Sequence, residues 1–451
     1  MNPEVFREYD IRGVVDRDLN DAFVFTLGRA IGTMAQRYKV KEMTLGRDCR
    51  LSSPAYHEAM KRGLMEAGID VIDVGQCATP MLYFSIRHFG TGGGVMVTGS
   101  HNPPEFNGFK ICIGEDTIYG EEIQQIRKIM EEERFSAGSG KCHNADIGKP
   151  YIDYLYQNIT IKRPLRIAVD AGNGVGGQFA LPLFERWGCE VTSLFCEPDG
   201  RFPHHFPDPT IASNLETLIS TVKGADLDVG IAYDGDADRL GVVSDKGAIL
   251  WGDEMLLFFS RYVLKEHPGA AIIGEVKCSQ KLYDDIKKNG GRAIMWKAGH
   301  SLIKSKMKEE GALLAGEMSG HLFFADRYFG YDDAIYSSCR LLEILSQTGE
   351  KLSELLADVP ITFTTPEIRV PCPDQIKFQV VEEVKGYFAK IYPVIDIDGV
   401  RIPFDDGWGL LRASNTQPVL VLRFEAKTKE RLAEIRNLIE VKLNEIMAKK
   451  R

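Results

Sequence analysis

Three carboxylates at alternate positions, Asp234, Asp236 and Asp238, stand in the run DGDADR between two apolar segments, VGIAY and LGVV. If this loop curls, with Gly235 and Ala237 keeping it uncrowded, three oxygens converge on one hard cation and leave room for further ligands. An octahedral site completed by water or a phosphate oxygen suits magnesium. Calcium hands also open D-x-D-x-D, but they need Gly at the sixth position and Glu at the twelfth, where Arg239 and Asp245 stand. A solvated acidic turn is the plainer reading. Its placement between two apolar strands opposes that, because bare carboxylates at a sheet end repel one another. Arg239 closes the run and can grip the phosphate that the metal touches.

A second stretch reads VMVTGSHNPPEFNGFK. Residues 95–97 form a short apolar strand that stops at Thr98-Gly99. Ser100 therefore sits on a turn kept open by Gly99 and stopped by Pro103 and Pro104. His101 stands beside it, and Lys110 follows Asn107-Gly108, a pair that signals a turn. A hydroxyl, an imidazole and an ammonium on one rigid loop are the parts of a phosphoryl-transfer nucleophile. The alternative is a turn serine bonded to its own backbone; the acidic loop further on favours the chemistry.

Two more loops carry polar clusters. Glu317, Ser319 and His321 alternate in GEMSGH, so they face one way if the segment is extended. The carboxylate and hydroxyl suit vicinal sugar hydroxyls, and the histidine suits phosphate contact or proton transfer. Arg412, Ser414, Asn415 and Thr416, closed by Pro418, can wrap a phosphate with side chains and backbone N–H groups together. Lys277 sits on the strand-exit loop EVKCS, and His300-Ser301 opens a helix, whose N-terminus favours anions. The run 172–177, GNGVGG, matches a dinucleotide fingerprint after a strand. Its counterparts elsewhere in the chain lack the glycines, so it reads as tight strand–helix packing. His204 and His205 in HHFPDP read as part of a Pro-stiffened connector, since neighbouring side chains on an extended segment diverge.

The elements that must position these loops repeat. Strand–helix–strand units recur as residues 43–74, as LRIAVDAGNGVGG through EVTSLF, and as AAIIGEVKCS through RAIMW. Each is followed by strand, polar loop and strand, in VMVTGSHNPPEFNGFKIC, VGIAYDGDADRLGVV and LLAGEMSGHLFF. Such repetition implies three α/β domains of one topology, each presenting a loop at a strand end. A helix is expected over residues 22–38 and another over 336–356, and a charged helix over 427–449 ends the chain. The expected domains are 1–147, 148–249, 250–360 and a smaller α+β domain, 361–451, which breaks the repeat.

At 451 residues the chain needs several cores. It is 44% hydrophobic with no apolar run long enough to span a membrane, and its N-terminus lacks the build of a signal peptide. Nine cysteines without a CxxC pair argue for a reducing cytoplasm rather than a disulfide frame or a zinc site. A net charge of −9 argues against nucleic acid, so an anionic substrate must be held by local Arg and Lys.

With these loops in place, the chain resembles the α-D-phosphohexomutase superfamily, and within it the bacterial phosphomannomutase/phosphoglucomutase group. TGSHNP at 98–103 is similar to its phosphoserine loop, DGDADR at 234–239 to its magnesium loop, GEMSGH at 316–321 to its sugar loop, and RASNTQP at 412–418 to its phosphate loop. Phosphoglucosamine mutases read SASHNP, GEQSGH and SGTEP instead. PHHFPDPT departs from the PNHHPDP of relatives, in what reads as a connector far from the motifs.

The resemblance implies four domains around a deep cleft, with Tyr9, Arg12, His101, Lys110, Lys277 and His300 also facing it. It implies reversible transfer of phosphate between O1 and O6 of a hexose through a phosphorylated Ser100 and a 1,6-bisphosphate. Mg²⁺ would be held by Ser100, Asp234, Asp236 and Asp238, with glucose 1,6-bisphosphate as activator. Arg12, Lys110 and Arg239 would steady the moving phosphate, and Arg412, Ser414, Asn415 and Thr416 the other one. Glu317 and Ser319 would hold hydroxyls at sugar positions 3 and 4, and Lys110, His101 and His321 are the candidates for proton transfer. The expected partners are small hexose phosphates, with a monomeric enzyme. The rivals are a phosphoglucosamine mutase, a phosphatase and a non-catalytic sugar-phosphate sensor.

Overall fold

The computed structural model describes residues 1–415 and 417–450. Its first sheet holds β1 (Ile11–Val14), β2 (Glu42–Arg47), β3 (Asp70–Gln76), β4 (Gly93–Val97), β5 (Phe106–Ile113), β6 (Asp116–Thr117) and β7 (Cys142–Asn144). Their order is β1-β5-β4-β2-β3-β7, with β6 beside β5. The second sheet holds β8 (Arg166–Asp170), β9 (Glu190–Leu194), β10 (Val229–Tyr233), β11 (Leu240–Ser244) and β12 (Ile249–Leu250), in the order β12-β11-β10-β8-β9. The third holds β13 (Ala271–Glu275), β14 (Arg292–Trp296), β15 (Leu314–Gly316) and β16 (Leu322–Phe324), in the order β14-β13-β15-β16.

The three sheets share a core. Strands 3-2-4-5, 9-8-10-11 and 14-13-15-16 run in the same order, three parallel and the last antiparallel. The repeat expected from the sequence is therefore a repeat of topology. In each unit the polar loop joins the third parallel strand to its antiparallel partner. Strands β4, β10 and β13 are buried along their whole length, which is why they read as unbroken apolar runs rather than alternations. The fourth sheet, antiparallel throughout, contains β17 (Phe363–Thr364), β18 (Ile368–Pro371), β19 (Val400–Phe404), β20 (Gly407–Ala413) and β21 (Val419–Ala426).

Some local expectations do not hold. Asn107-Gly108 lies inside β5 instead of making a turn. The Asn107 amide donates to Ser52 Oγ and Ser53 Oγ at 2.8 and 3.1 Å, and Gly108 lets the Ile11 carbonyl of β1 approach to where a Cβ would sit. Residues 336–356 are not one helix. Ala334–Thr348 stops at Gly349, which has φ +71°, and a short second helix covers Leu352–Leu355. The helix Thr79–Phe89 escapes a periodicity reading because its first eight residues, Thr79–Ile86, are all buried. A helix at Asp374–Phe388 also packs on the last sheet, where strands and turns alone were expected.

Candidate active site

Ser100 has φ +49°, a left-handed backbone rare for a residue with a Cβ, and it is 3% exposed. Its Oγ donates to Asp234 Oδ2 at 2.8 Å and lies 3.0 Å from His101 Nδ1. Thus the loop after β4 meets the loop after β10. The approach is allowed by Gly235, where a Cβ would stand 2.5 Å from the Ser100 carbonyl. The run GNGVGG serves the same junction: a Cβ on Gly174 would meet the Gly235 backbone at 2.7 Å, and Val175 N–H donates to Gly235 O. Those glycines pack loops, as the sequence reading expects.

Asp234, Asp236 and Asp238 are fully buried, and one oxygen from each lies within 4.8 Å of the others. Asp234 Oδ1 accepts from the N–H groups of Asp238 and Arg239. Asp236 Oδ2 accepts from Thr79, Thr98 and Lys110, at 2.5, 3.1 and 3.0 Å. Asp236 Oδ1 is buried and accepts no hydrogen bond. Burial, and then Asp238 and Asp236, push the Asp234 carboxyl well above the usual range. An orphan carboxylate oxygen among three buried carboxyl groups that repel one another's charge fits a hard divalent cation.

Lys110, on β5, donates to both Asp236 and Asp238. Burial opposes its charge, but those two carboxylates outweigh it and raise the pKa, so Lys110 is a cation here. Burial, Arg239 and Arg12 instead drive His101 well below its ordinary value, leaving it neutral beside Ser100. His321 is also buried, yet Asp238 and Glu317 lift it to about 9. Of the three proton-transfer candidates, His101 alone is both neutral and in contact with the Ser100 hydroxyl.

Glu317, Ser319 and His321 converge, but not as an extended segment. Glu317 N–H donates to His321 O at 2.9 Å, and Gly320, with φ +91°, turns the chain. The turn brings Glu317 Oε2 and Ser319 Oγ each to 3.0 Å from His321 Nδ1. Glu317 Oε1 accepts from Gly299 N–H at 2.6 Å, next to His300 at the start of helix His300–Glu310. His321 and the Lys277 ammonium hold the Glu317 carboxyl down, at about 2, against the upward push of burial.

From the fourth sheet, Arg412 Nε donates to Asp398 Oδ2 at 2.9 Å, and Asn415 donates to Tyr9 Oη at 2.8 Å. Tyr9 in turn donates to Ala298 O. Lys277 pairs with Glu367 at 3.1 Å. Thr416 lies outside the described residues. One cavity of about 850 Å³ is lined by Tyr9, Arg12, His101, Arg239, Lys277, His300, Glu317, Ser319, His321, Arg412, Ser414 and Asn415. Ser100, Lys110 and the three aspartates do not line it; the lining residues His101 and Arg239 connect it to them, His101 through Ser100 Oγ and Arg239 through Asp234.

The sequence matches four family models: phosphoglucomutase/phosphomannomutase α/β/α domains I, II and III over residues 3–137, 149–247 and 251–363, and the C-terminal domain over 367–440. The chain belongs to the phosphoglucomutase/phosphomannomutase family. It is 48% identical over 439 residues to a phosphoglucomutase of Neisseria gonorrhoeae, covering 96% of this chain and 95% of that one. To a phosphomannomutase/phosphoglucomutase of Pseudomonas aeruginosa it is 45% identical over 444 residues, covering 98% and 96%. A solved structure of a phosphoglucomutase/phosphomannomutase family protein from Burkholderia thailandensis superposes with a TM-score of 0.94 at 41% identity, over 99% and 98% of the chains. Family membership makes this chain a phosphohexomutase, an isomerase.

Several residues that line the cleft of this family member, or pack behind it, escaped the sequence reading. HHFPDP is no mere connector. His205 pairs with buried Asp170 at 3.1 Å, and the segment continues into Phe206, Asp208 and Ile211, which line the cavity. Asp208 also contributes to the charge around Arg239. Asp332, fully buried, sits 3.8 Å from His300 and 3.9 Å from His321. Asp398, Glu367 and Lys377 brace the last domain's share of the site; Lys377 Nζ donates to Ser414 O at 2.5 Å. No local pattern marks these residues, because each finds its partner in a distant element. Among the described residues no helix is long and apolar enough to cross a membrane.

Proposed function

We propose that this phosphohexomutase interconverts the 1-phosphates and 6-phosphates of mannose and glucose through a phosphorylated Ser100. The observation that carries the reading is the Ser100 hydroxyl, 2.8 Å from Asp234 and 3.0 Å from His101, which lines one cavity together with Arg412, Ser414 and Asn415. The bond from phosphorus to Ser100 Oγ breaks as one forms to the free sugar hydroxyl, whose proton passes to a neighbouring base; His101 is the best placed. The resulting hexose 1,6-bisphosphate turns over in the cleft and returns its other phosphate to Ser100 Oγ. Glucose 1,6-bisphosphate added from solution would recharge a dephosphorylated enzyme.

Mg²⁺ held by Asp234, Asp236, Asp238 and the group on Ser100 would supply positive charge opposite the moving phosphoryl. Arg12, Lys110 and Arg239 bring further cationic charge to the same place. Arg412, Ser414, Asn415 and Thr416 hold the phosphate that is not reacting, with Tyr9, Lys277 and His300 beside it. Glu317 and Ser319 bind the hydroxyls at positions 3 and 4, which glucose and mannose share, and nothing in that pair reads position 2. The reading carries with it domains divided near residues 147, 249 and 360, and a monomeric cytoplasmic enzyme.

Ser100→Ala should lose steady turnover while the protein still folds and binds sugar phosphate. A variant with full activity would end the phosphoserine claim. Relative rates on glucose 1-phosphate, mannose 1-phosphate and glucosamine 1-phosphate test the sugar assignment, and a strong preference for the amino sugar would overturn it.

A further inference from the structure

Beneath the Ser100 turn lies a guanidinium that neither the motifs nor the mechanism above assigns. Arg50, on the loop after β2, is 1% exposed. Its Nη1 donates to the carbonyls of Pro103 and Phe106 at 2.6 and 3.0 Å, and its Nη2 to those of Ser100 and Asn102 at 2.7 and 2.5 Å. One side chain thus gathers four carbonyl oxygens from both ends of the turn. Asp48 completes the frame. Its Oδ2 lies 3.2 Å from Arg50 Nε and accepts from Gly99 N–H, and its Oδ1 accepts from Arg50 N–H and from Ser53.

The second domain seals this frame. Phe202 places its ring 5.0 Å from the guanidinium, and a Cβ on Gly200 would stand 2.7 Å from Arg50 Cα. Ser100 keeps its left-handed backbone only while something over-determines the turn. Converging carbonyl dipoles repel each other unless a cation sits among them, and a planar fork of donors can serve four at once where an ammonium cannot.

We infer that Arg50 is the positioning residue for the nucleophile: it imposes the backbone that aims Ser100 Oγ at the acidic triplet. The inference rests on the reading of Ser100 as the phosphorylated residue, and the experiment separates the two.

Arg50→Lys and Arg50→Ala are compared with the unaltered enzyme and with Ser100→Ala for thermal midpoint, kcat, KM and phosphate incorporation at Ser100 from glucose 1,6-bisphosphate. Misaiming the nucleophile should lower kcat about 100-fold in Arg50→Lys, slow incorporation in parallel and leave KM unchanged. Millimolar methylguanidinium should restore part of kcat to folded Arg50→Ala, which a purely stabilising side chain would not do. Unchanged kcat in folded Arg50→Lys overturns the role. If both variants melt below the assay temperature, Gly99→Ala reads the same contact, because it keeps every donor and puts a methyl group 2.4 Å from Arg50 Nε. Full kcat in that variant likewise overturns the role. Turnover surviving in Ser100→Ala would instead sink the phosphoserine reading, whatever Arg50 does.

Discussion

The first three domains and the last are joined to the molecule by different physics. One continuous apolar core runs from Ile72, Tyr83 and Phe84 through Leu183 and Tyr233 to Tyr336 and Leu352. Each of the first three sheets turns one face into this shared interior, while the other face packs in a cluster of its own domain. Tyr151 donates to Asp333, joining the helix Gly148–Asn158 to the start of helix Ala334–Thr348, and Tyr328 donates to the same carboxylate from the preceding loop. The last domain has an apolar core of its own and meets the third through a small patch of Val276, Trp408 and Leu410. Around that patch the contacts are charged. Arg401, fully buried, stacks 3.7 Å over Trp408 and donates to the carbonyls of Val276 and Cys278, and Arg423 reaches Asp253 at 3.1 Å. A large apolar junction fixes its partners, whereas a small polar one resembles a transient interface. The nucleophile and the acidic triplet lie on the fixed side. The phosphate loop lies on the other.

This division predicts that damage on the fixed side strikes chemistry and damage on the far side strikes binding. The largest effect is expected at Asp238→Asn, or on removal of divalent cations with a chelator. Turnover should fall by about 1,000-fold, roughly 4 kcal/mol of transition-state stabilisation. Added Mg²⁺ should rescue the chelated enzyme but not the variant. Retained turnover after exhaustive chelation would remove the metal from the account.

Next comes Arg401→Ala, which leaves two carbonyls and the Trp408 face without their cation. A loss of about 3 kcal/mol is expected, concentrated in the last domain. Calorimetry should resolve an early transition for that domain while the three-domain core melts as before. A single unshifted transition would contradict the contrast drawn between the junctions.

Arg412→Ala should be milder, about 2 kcal/mol, and should appear in KM for the sugar phosphate with kcat little changed. Slowed chemistry at unchanged affinity would move that loop to the catalytic side.

The smallest effect concerns pH. Burial raises the Asp333 carboxyl to about 7 in spite of hydrogen bonds from Tyr336 N–H, Tyr328 and Tyr151. In the unfolded chain it titrates near 4, so the native state binds the extra proton between about pH 4 and 7. Its contribution to stability is then fully present below pH 4, declines as pH rises, and is gone above 7. Denaturation midpoints measured across that window should lose this component of slope in Asp333→Asn. An unchanged profile would mean the carboxyl is charged throughout.

How much of this was legible beforehand varies with distance along the chain. DGDADR, TGSHNP and the other loops announce their chemistry within a few residues, because each lies between apolar strands that could only be buried. The three-fold repeat was legible for the same reason. Asn107-Gly108 misled, since a turn signal records backbone preference and here the asparagine side chain found Ser52 and Ser53 instead. The helix Thr79–Phe89 went unread because burial on all sides erases the period that marks a helix at a surface. Asp208 and Asp332 carry no local mark at all.

By itself, then, the sequence determined the strands, the repeated unit and the reactive groups that each loop offers, all of which depend on neighbours a few positions away. Tertiary structure alone decided that Ser100 meets Asp234, that Arg50 lies under the nucleophile and that Asn415 reaches Tyr9. These contacts join residues far apart in the chain. Their geometry follows from how whole domains bury their faces against each other, which no short stretch of residues encodes.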